Sequence, residues 1–183
     1  MKLTAILLLS LLCYFQFLMA QPIVKIGGHE DPFAMEKEVY WYLNQLGIQE
    51  NIHLTVIFTS IIPKGFDGLT VSRKILGNGY QVLMVRINKA LVERQQQKVL
   101  AHEMIHVKQY AKGELKLLKS NTVVWLGKKH RLSKIHHRGP WEKEAYRNDH
   151  VLAVQQRQKP DITTLASFKS KADSLVYMRE VQH

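Results

Sequence analysis

Cysteine is all but absent: Cys13 is the single one in 183 residues. A disulfide framework or a cysteine-based zinc cluster needs several thiols, so both are excluded. Internal repeats and low-complexity linkers are missing as well, and beyond residue 20 no apolar run is long enough to span a bilayer. Acidic residues are the minority charge, 15 Asp plus Glu against 26 Lys plus Arg, for a net charge of +11. That excess admits nucleic acid, anionic lipid or an acidic wall polymer as a partner and selects none of them. Apolar residues are not scarce: 46% hydrophobic against 22% charged is a globular composition, which excludes a disordered chain. The length suits one domain, or one domain with short tails.

Met1 to Ala20 reads MKLTAILLLSLLCYFQFLMA. Lys2 supplies a positive start, Leu3 through Met19 is apolar apart from Thr4, Ser10 and Gln16, and Ala20 is a small residue before Gln21. This is the build of a secretory signal peptide cleaved after Ala20, with an uncleaved membrane anchor as the competing reading. Residues 1–20 are read as the leader and 21–183 as a single domain, secreted or periplasmic, with its core at about 31–158 and a tail over 159–183. Cleavage removes Lys2 and Cys13, leaving a cysteine-free chain of net charge +10. Such a domain is held by its core, with a metal as an available aid.

Asp31-Pro32 has the form of a helix cap followed by proline at the first helical position. Phe33, Glu36, Val39, Tyr40, Leu43 and Leu46 follow at spacings of three and four, which predicts an amphipathic helix closed by Gly47. Ile52, Leu54, Val56 and Phe58 alternate with His53, Thr55, Ile57 and Thr59, a strand pattern. Leu69–Leu76 and Tyr80–Asn88 read as two strands joined at Gly77-Asn78-Gly79. Lys89 to Lys112 holds neither Gly nor Pro and predicts a long helix capped by Gly113. A mixed stretch follows, with an apolar run at Val123–Trp125 and a basic segment from Lys128 to Arg138. Gly139-Pro140 opens a last helix, ended by Lys159-Pro160, and the tail from Asp161 is weakly patterned as helix. The sum is an α+β domain, a small antiparallel sheet packed on helices.

The long helix contains His102-Glu103-Met104-Ile105-His106. Residues four apart share a helical face, so two imidazoles can meet one ion. Zinc takes such nitrogens, and a catalytic site needs one further protein ligand and an open position. Glu103, one residue round from His102, is placed to accept a proton from an activated water and pass it to a leaving amine. With nine histidines in the chain, random placement yields such a pentad about 2% of the time, so the context of a mid-helix position matters. The metzincin pattern fails, because Gln109 and Lys112 stand where Gly and His are required. A carboxylate from the last helix is the alternative, and Glu142 and Glu144 are both available. At about 100° per residue, Trp141, Ala145 and Leu152 form the buried stripe; Glu142 lies on the shoulder beside Ala145 and Asp149, Glu144 on the opposite one. The wheel leans to Glu142 and leaves Glu144 open.

AHEMIHVKQYAKGEL and GPWEKEAY together resemble small bacterial zincins of the gluzincin type, which carry an HExxHxxQ helix and a later PWExEA-like helix. The resemblance covers roughly residues 80 to 155. It implies a zincin-like fold with the pentad on a central helix, one zinc ion held by His102, His106 and Glu142, and Glu103 as general base. It also implies hydrolysis of peptide bonds in a peptide or protein substrate. Many relatives have Asp or Asn after the alanine of the second motif; this chain has Tyr146, and Asp149 is the substitute partner for the zinc histidines. In such an architecture the strand Tyr80–Asn88 is expected beside the cleft, where an exposed edge adds a substrate strand. Tyr110, Tyr146, His136, His137 and His150 are candidates for polarising the scissile carbonyl.

Blander assignments fit other features. His136-His137 belongs to a basic loop, since adjacent residues rarely face one ion, and Trp125 and Trp141 are core anchors. The Lys128–Arg138 segment is a solvated loop, or an edge that docks on an anionic envelope surface. Its sparse aromatics speak against nucleic acid. A membrane enters only through an uncleaved leader. The competing function is a non-catalytic zinc-binding module docked on an anionic polymer.

Overall fold

The computed structural model describes residues 22–75, 79–118, 121–132 and 139–158. The expected leader (1–20), the centre of the hairpin turn at Gly77-Asn78, His136-His137 and the tail over 159–183 lie outside the described residues. Contacts divide the chain into a unit ending at Ala153 and a second beginning at Val154. In the second unit the described residues, 154–158, are the end of a helix and its following turn.

Strand β1 (Ile23–Gly27) precedes the stretch expected as core. Helix α1 (Pro32–Gln45) starts as expected: the Asp31 carboxylate accepts from the Ala34 amide at 2.9 Å, and Pro32 occupies the first turn. Its buried side is Met35, Val39, Tyr42 and Leu43. Phe33 and Tyr40, expected on that side, are turned outward, Phe33 being 67% exposed beneath the Lys37 ammonium at 4.2 Å. Two apolar rows compete on this helix, and the row with the i, i+4, i+7 spacing of Met35, Val39 and Tyr42 meets the sheet.

The main sheet joins β1, β2 (Ile52–Thr59), β3 (Gly68–Ile75) and β4 (Gln81–Asn88) in the order β1-β2-β4-β3. β1, β2 and β4 are parallel and β3 runs antiparallel to β4. The α+β class holds, with a sheet that is mixed: helix α1 crosses between β1 and β2, and a crossover of that length returns the chain in the same direction. Leu54, Val56 and Phe58 stand beside Leu83, Val85 and Ile87 in register, and all six are buried. The intervening residues of β2 are only half-buried, so one face of the sheet carries the core.

Helix α2 (Glu93–Ala111) packs on that face over β3 and β4, and Gly113, at φ +67°, ends it. Next comes a meander of three short antiparallel strands, β5 (Leu115–Leu118), β6 (Thr122–Trp125) and β7 (Lys128–Arg131). Leu115 and Val123 pack with Trp141 as a small second cluster. Helix α3 (Pro140–Arg157) buries Trp141, Ala145, Asp149, Leu152 and Ala153, and Ala145, Leu152 and Ala153 join the main core. No helix among the described residues is long and apolar enough to cross a membrane.

Candidate metal centre

His102 and His106 stand one turn apart on α2, and α3 brings the Glu142 carboxylate to them. His102 Nε2 and His106 Nε2 are 3.2 Å apart, and each lies 3.5 Å from Glu142 Oε2. Three corners of a tetrahedron with zinc–ligand bonds of about 2.0–2.1 Å are about 3.3–3.4 Å from one another. The donor set therefore fits a divalent ion in both chemistry and spacing, as a zincin-type site does. The other Glu142 oxygen accepts from Trp141 Nε1 at 3.1 Å, which aims the carboxylate. Glu144, the alternative at the level of sequence, points elsewhere: its oxygens accept from Lys108 Nζ at 2.7 Å and Gln109 Nε2 at 2.9 Å.

The far nitrogens of both rings are held. His102 Nδ1 lies 3.1 Å from Asp149 Oδ2, and His106 Nδ1 lies 2.8 Å from Gln109 Oε1. Both partners are acceptors there, so each ring keeps its proton on Nδ1 and directs the Nε2 lone pair at the site. Asp149 thus occupies the place foreseen for it. Gln109 was not foreseen in this role; its spacing of three from His106 is the signal that marks it.

Glu103 is 5% exposed, under the edge strand β3. Thr70 pairs with Val85, whose side chain faces the helices, so Thr70 faces them too. Its hydroxyl donates to Glu103 Oε2 at 2.6 Å. Gly68, two residues earlier on the same face, lets the backbone lie against the glutamate: a Cβ there would come within 2.7 Å of Glu103 Oε1 and 2.5 Å of Val99 Cγ1. Neither residue announces itself in the sequence, because their role arises only from strand pairing.

Burial raises the Glu103 pKa above the ordinary carboxylate value, against the pull of His106, Thr70 and His102. Burial of the His106 ring acts downward, yet its bond to Glu142 and the charges of Glu103 and Glu142 outweigh it and leave the pKa raised. For Glu142 burial acts upward, but the two histidines hold it down at about 2. Burial, reinforced by Glu142 and Glu103, pushes the Tyr110 hydroxyl up to about 12. Tyr146 is likewise raised, by burial and then by Glu142 and Asp149.

A cavity of about 780 Å³ opens over these groups. One side is β3, from Gly68 to Val71; another part of the lining is apolar, with Leu115, Val123, Leu132 and Trp141. The strand beside the cleft is therefore β3 and not Tyr80–Asn88, which is internal because β4 bonds to β2 on one side and β3 on the other. Tyr110 and Tyr146 both line the cavity, the Tyr146 ring 4.6 Å from that of His102. His150 is exposed and is not among the lining residues. Lys128, Lys129 and Arg131 are exposed on β7, where a loop was expected. Comparison of the chain with protein-family profiles, with curated proteins and with solved structures finds no match.

Proposed function

We propose that the chain is a zinc-dependent peptidase of the gluzincin type, acting on extended peptide segments outside the cytoplasm. The observation that carries the reading is the near-equilateral set of His102, His106 and Glu142 with Glu103 buried beside it. Two imidazoles and one carboxylate make the donor set of a catalytic zinc site. When bound, zinc supplies Lewis acidity that polarises a carbonyl and eases the deprotonation of water.

The chain's own residues supply the rest. Glu103 takes a proton from the attacking water as its oxygen bonds to the carbonyl carbon. It then delivers that proton to the departing amine as the C–N bond breaks. Thr70 and Gly68 hold the Glu103 carboxylate for both transfers. The edge of β3 that no other described strand covers offers main-chain groups to an extended peptide, and the apolar part of the cavity lining suits a large apolar side chain. Tyr110 and Tyr146 stay protonated through neutral pH and serve as donors toward a developing oxyanion.

The purified chain is expected to hold about one zinc ion, as three protein ligands allow, and His106→Ala to lose it. Glu103→Gln is expected to keep the ion and lose about 10²–10⁴-fold in hydrolysis of an unstructured protein. A Glu103→Gln variant that hydrolyses as fast as wild type removes Glu103 as the base. Zinc without turnover favours a binding module that uses the cations of β7 on an anionic surface, with binding that weakens as salt rises. Export follows from residues 1–20 acting as a cleaved leader, and the N-terminal sequence of the mature protein checks it.

A further inference from the structure

Gln109 is completely buried, and both ends of its amide are engaged. Oε1 lies 2.8 Å from His106 Nδ1, while Nε2 lies 3.0 Å from the Trp141 carbonyl oxygen and 2.9 Å from Glu144 Oε2. A carbonyl and a carboxylate only accept, so the amide NH₂ must face them and Oε1 must face the imidazole. With an acceptor 2.8 Å from Nδ1 against 3.5 Å from Nε2 to Glu142 Oε2, the neutral ring favours its proton on Nδ1 and turns the Nε2 lone pair toward Glu142 and His102. Glu144 is itself pinned by Lys108, which also reaches Glu114 at 3.4 Å.

We propose that Gln109 is a positioning residue anchored by Glu144 and the Trp141 carbonyl: the amide relays their acceptor-only character to His106, presetting its tautomer for metal, and ties α2 to the turn of α3 that carries Glu142. The inference rests on the metal-binding reading of the site. No other side chain of this size meets all three partners. Glutamate would hold the ring and repel Glu144 and the Trp141 carbonyl, whereas leucine would fill the space and strand three polar groups.

Zinc affinity measured by chelator competition, alongside the His106 tautomer read by nitrogen NMR of the metal-free protein at alkaline pH, tests the relay. Wild type is expected to show Nδ1–H, and Gln109→Leu to bind zinc about 10–100-fold more weakly. Glu144→Gln, at a side chain still 27% exposed, should keep the fold. It is expected to loosen the amide without inverting it, since the Trp141 carbonyl still accepts from Gln109, so Nδ1–H persists and zinc affinity falls less than in Gln109→Leu. Gln109→Glu sets two carboxylates against each other; adding Glu144→Gln supplies the missing donor, so the double variant should bind zinc more tightly than Gln109→Glu alone. Rescue of that kind does not arise from packing. A folded Gln109→Leu variant with wild-type affinity, or strictly additive losses in the double variant, overturns the relay. If wild type takes up no zinc, the metal reading falls, and the tautomer decides the relay alone: Nε2–H in wild type overturns it.

Discussion

Gly68 leaves no room for a side chain, and what fills the space is the glutamate assigned to proton transfer. Gly68→Ala is expected to displace Glu103 while leaving the three ligands in place. Zinc content should hold while hydrolysis drops on the order of 100-fold, the usual cost of misplacing a reacting group by about an ångström. Thr70→Val keeps the shape and removes the donor at 2.6 Å. The Thr70 bond lowers the Glu103 pKa, so its loss raises it further. The base is then ionised only at higher pH, and the acid limb of the kcat/KM profile should move upward. An unmoved limb separates Thr70 from the base. His106 gives a second pH dependence. Its raised pKa means that protons persist on the ring at pH values where an ordinary imidazole is already neutral. Zinc requires the neutral ring, so affinity should fall as pH drops through that raised value, by about tenfold per unit for one displaced proton. Competition titrations across that pH range check it.

Between elements, the meander turn carries visible strain. Leu126 and Gly127 both have positive φ, +45° and +79°, the pattern of a two-residue hairpin turn of the kind that favours Asn-Gly. A leucine 62% exposed pays for that conformation and gains little burial in return. Leu126→Asn is expected to stabilise the chain by about 1 kcal/mol, read as a higher Tm. The same turn shows why the meander was only partly legible. Leu-Gly is not a familiar turn pair, and three strands of four residues are too short to establish a period. β2, β4 and α2 were legible because eight or more residues repeat one pattern. The outward side of α1 is not legible in the sequence, because the spacing offers two apolar rows and only the sheet chooses between them. β1, at five residues, is too short to announce itself as a strand.

On the scale of the molecule, α2 and α3 are joined by the ligand set, by Gln109 and by core packing around Ala145 and Leu152. Chelation is expected to lower Tm, since an ion bound only by the folded chain contributes about 2.7 kcal/mol at a hundred times its dissociation constant. A Tm indifferent to chelator would mean that the folded chain holds no such ion. The ligand-bearing part of the site was legible because two ligands share one helix at a fixed spacing and the third falls beside a buried stripe. Gly68, Thr70 and the cleft edge were not, since they depend on which strand lies outermost.

The wide sequence interval between His106 and Glu142 has a kinetic meaning. The histidine pair comes together as soon as α2 forms, a local event, whereas Glu142 arrives only once the chain has closed over the whole meander. A partly folded chain in which α2 has formed can therefore own a two-nitrogen half-site with a loose grip before Glu142 completes it. If the leader acts as proposed, a chain threaded unfolded through a membrane travels without its ion and loads it on arrival.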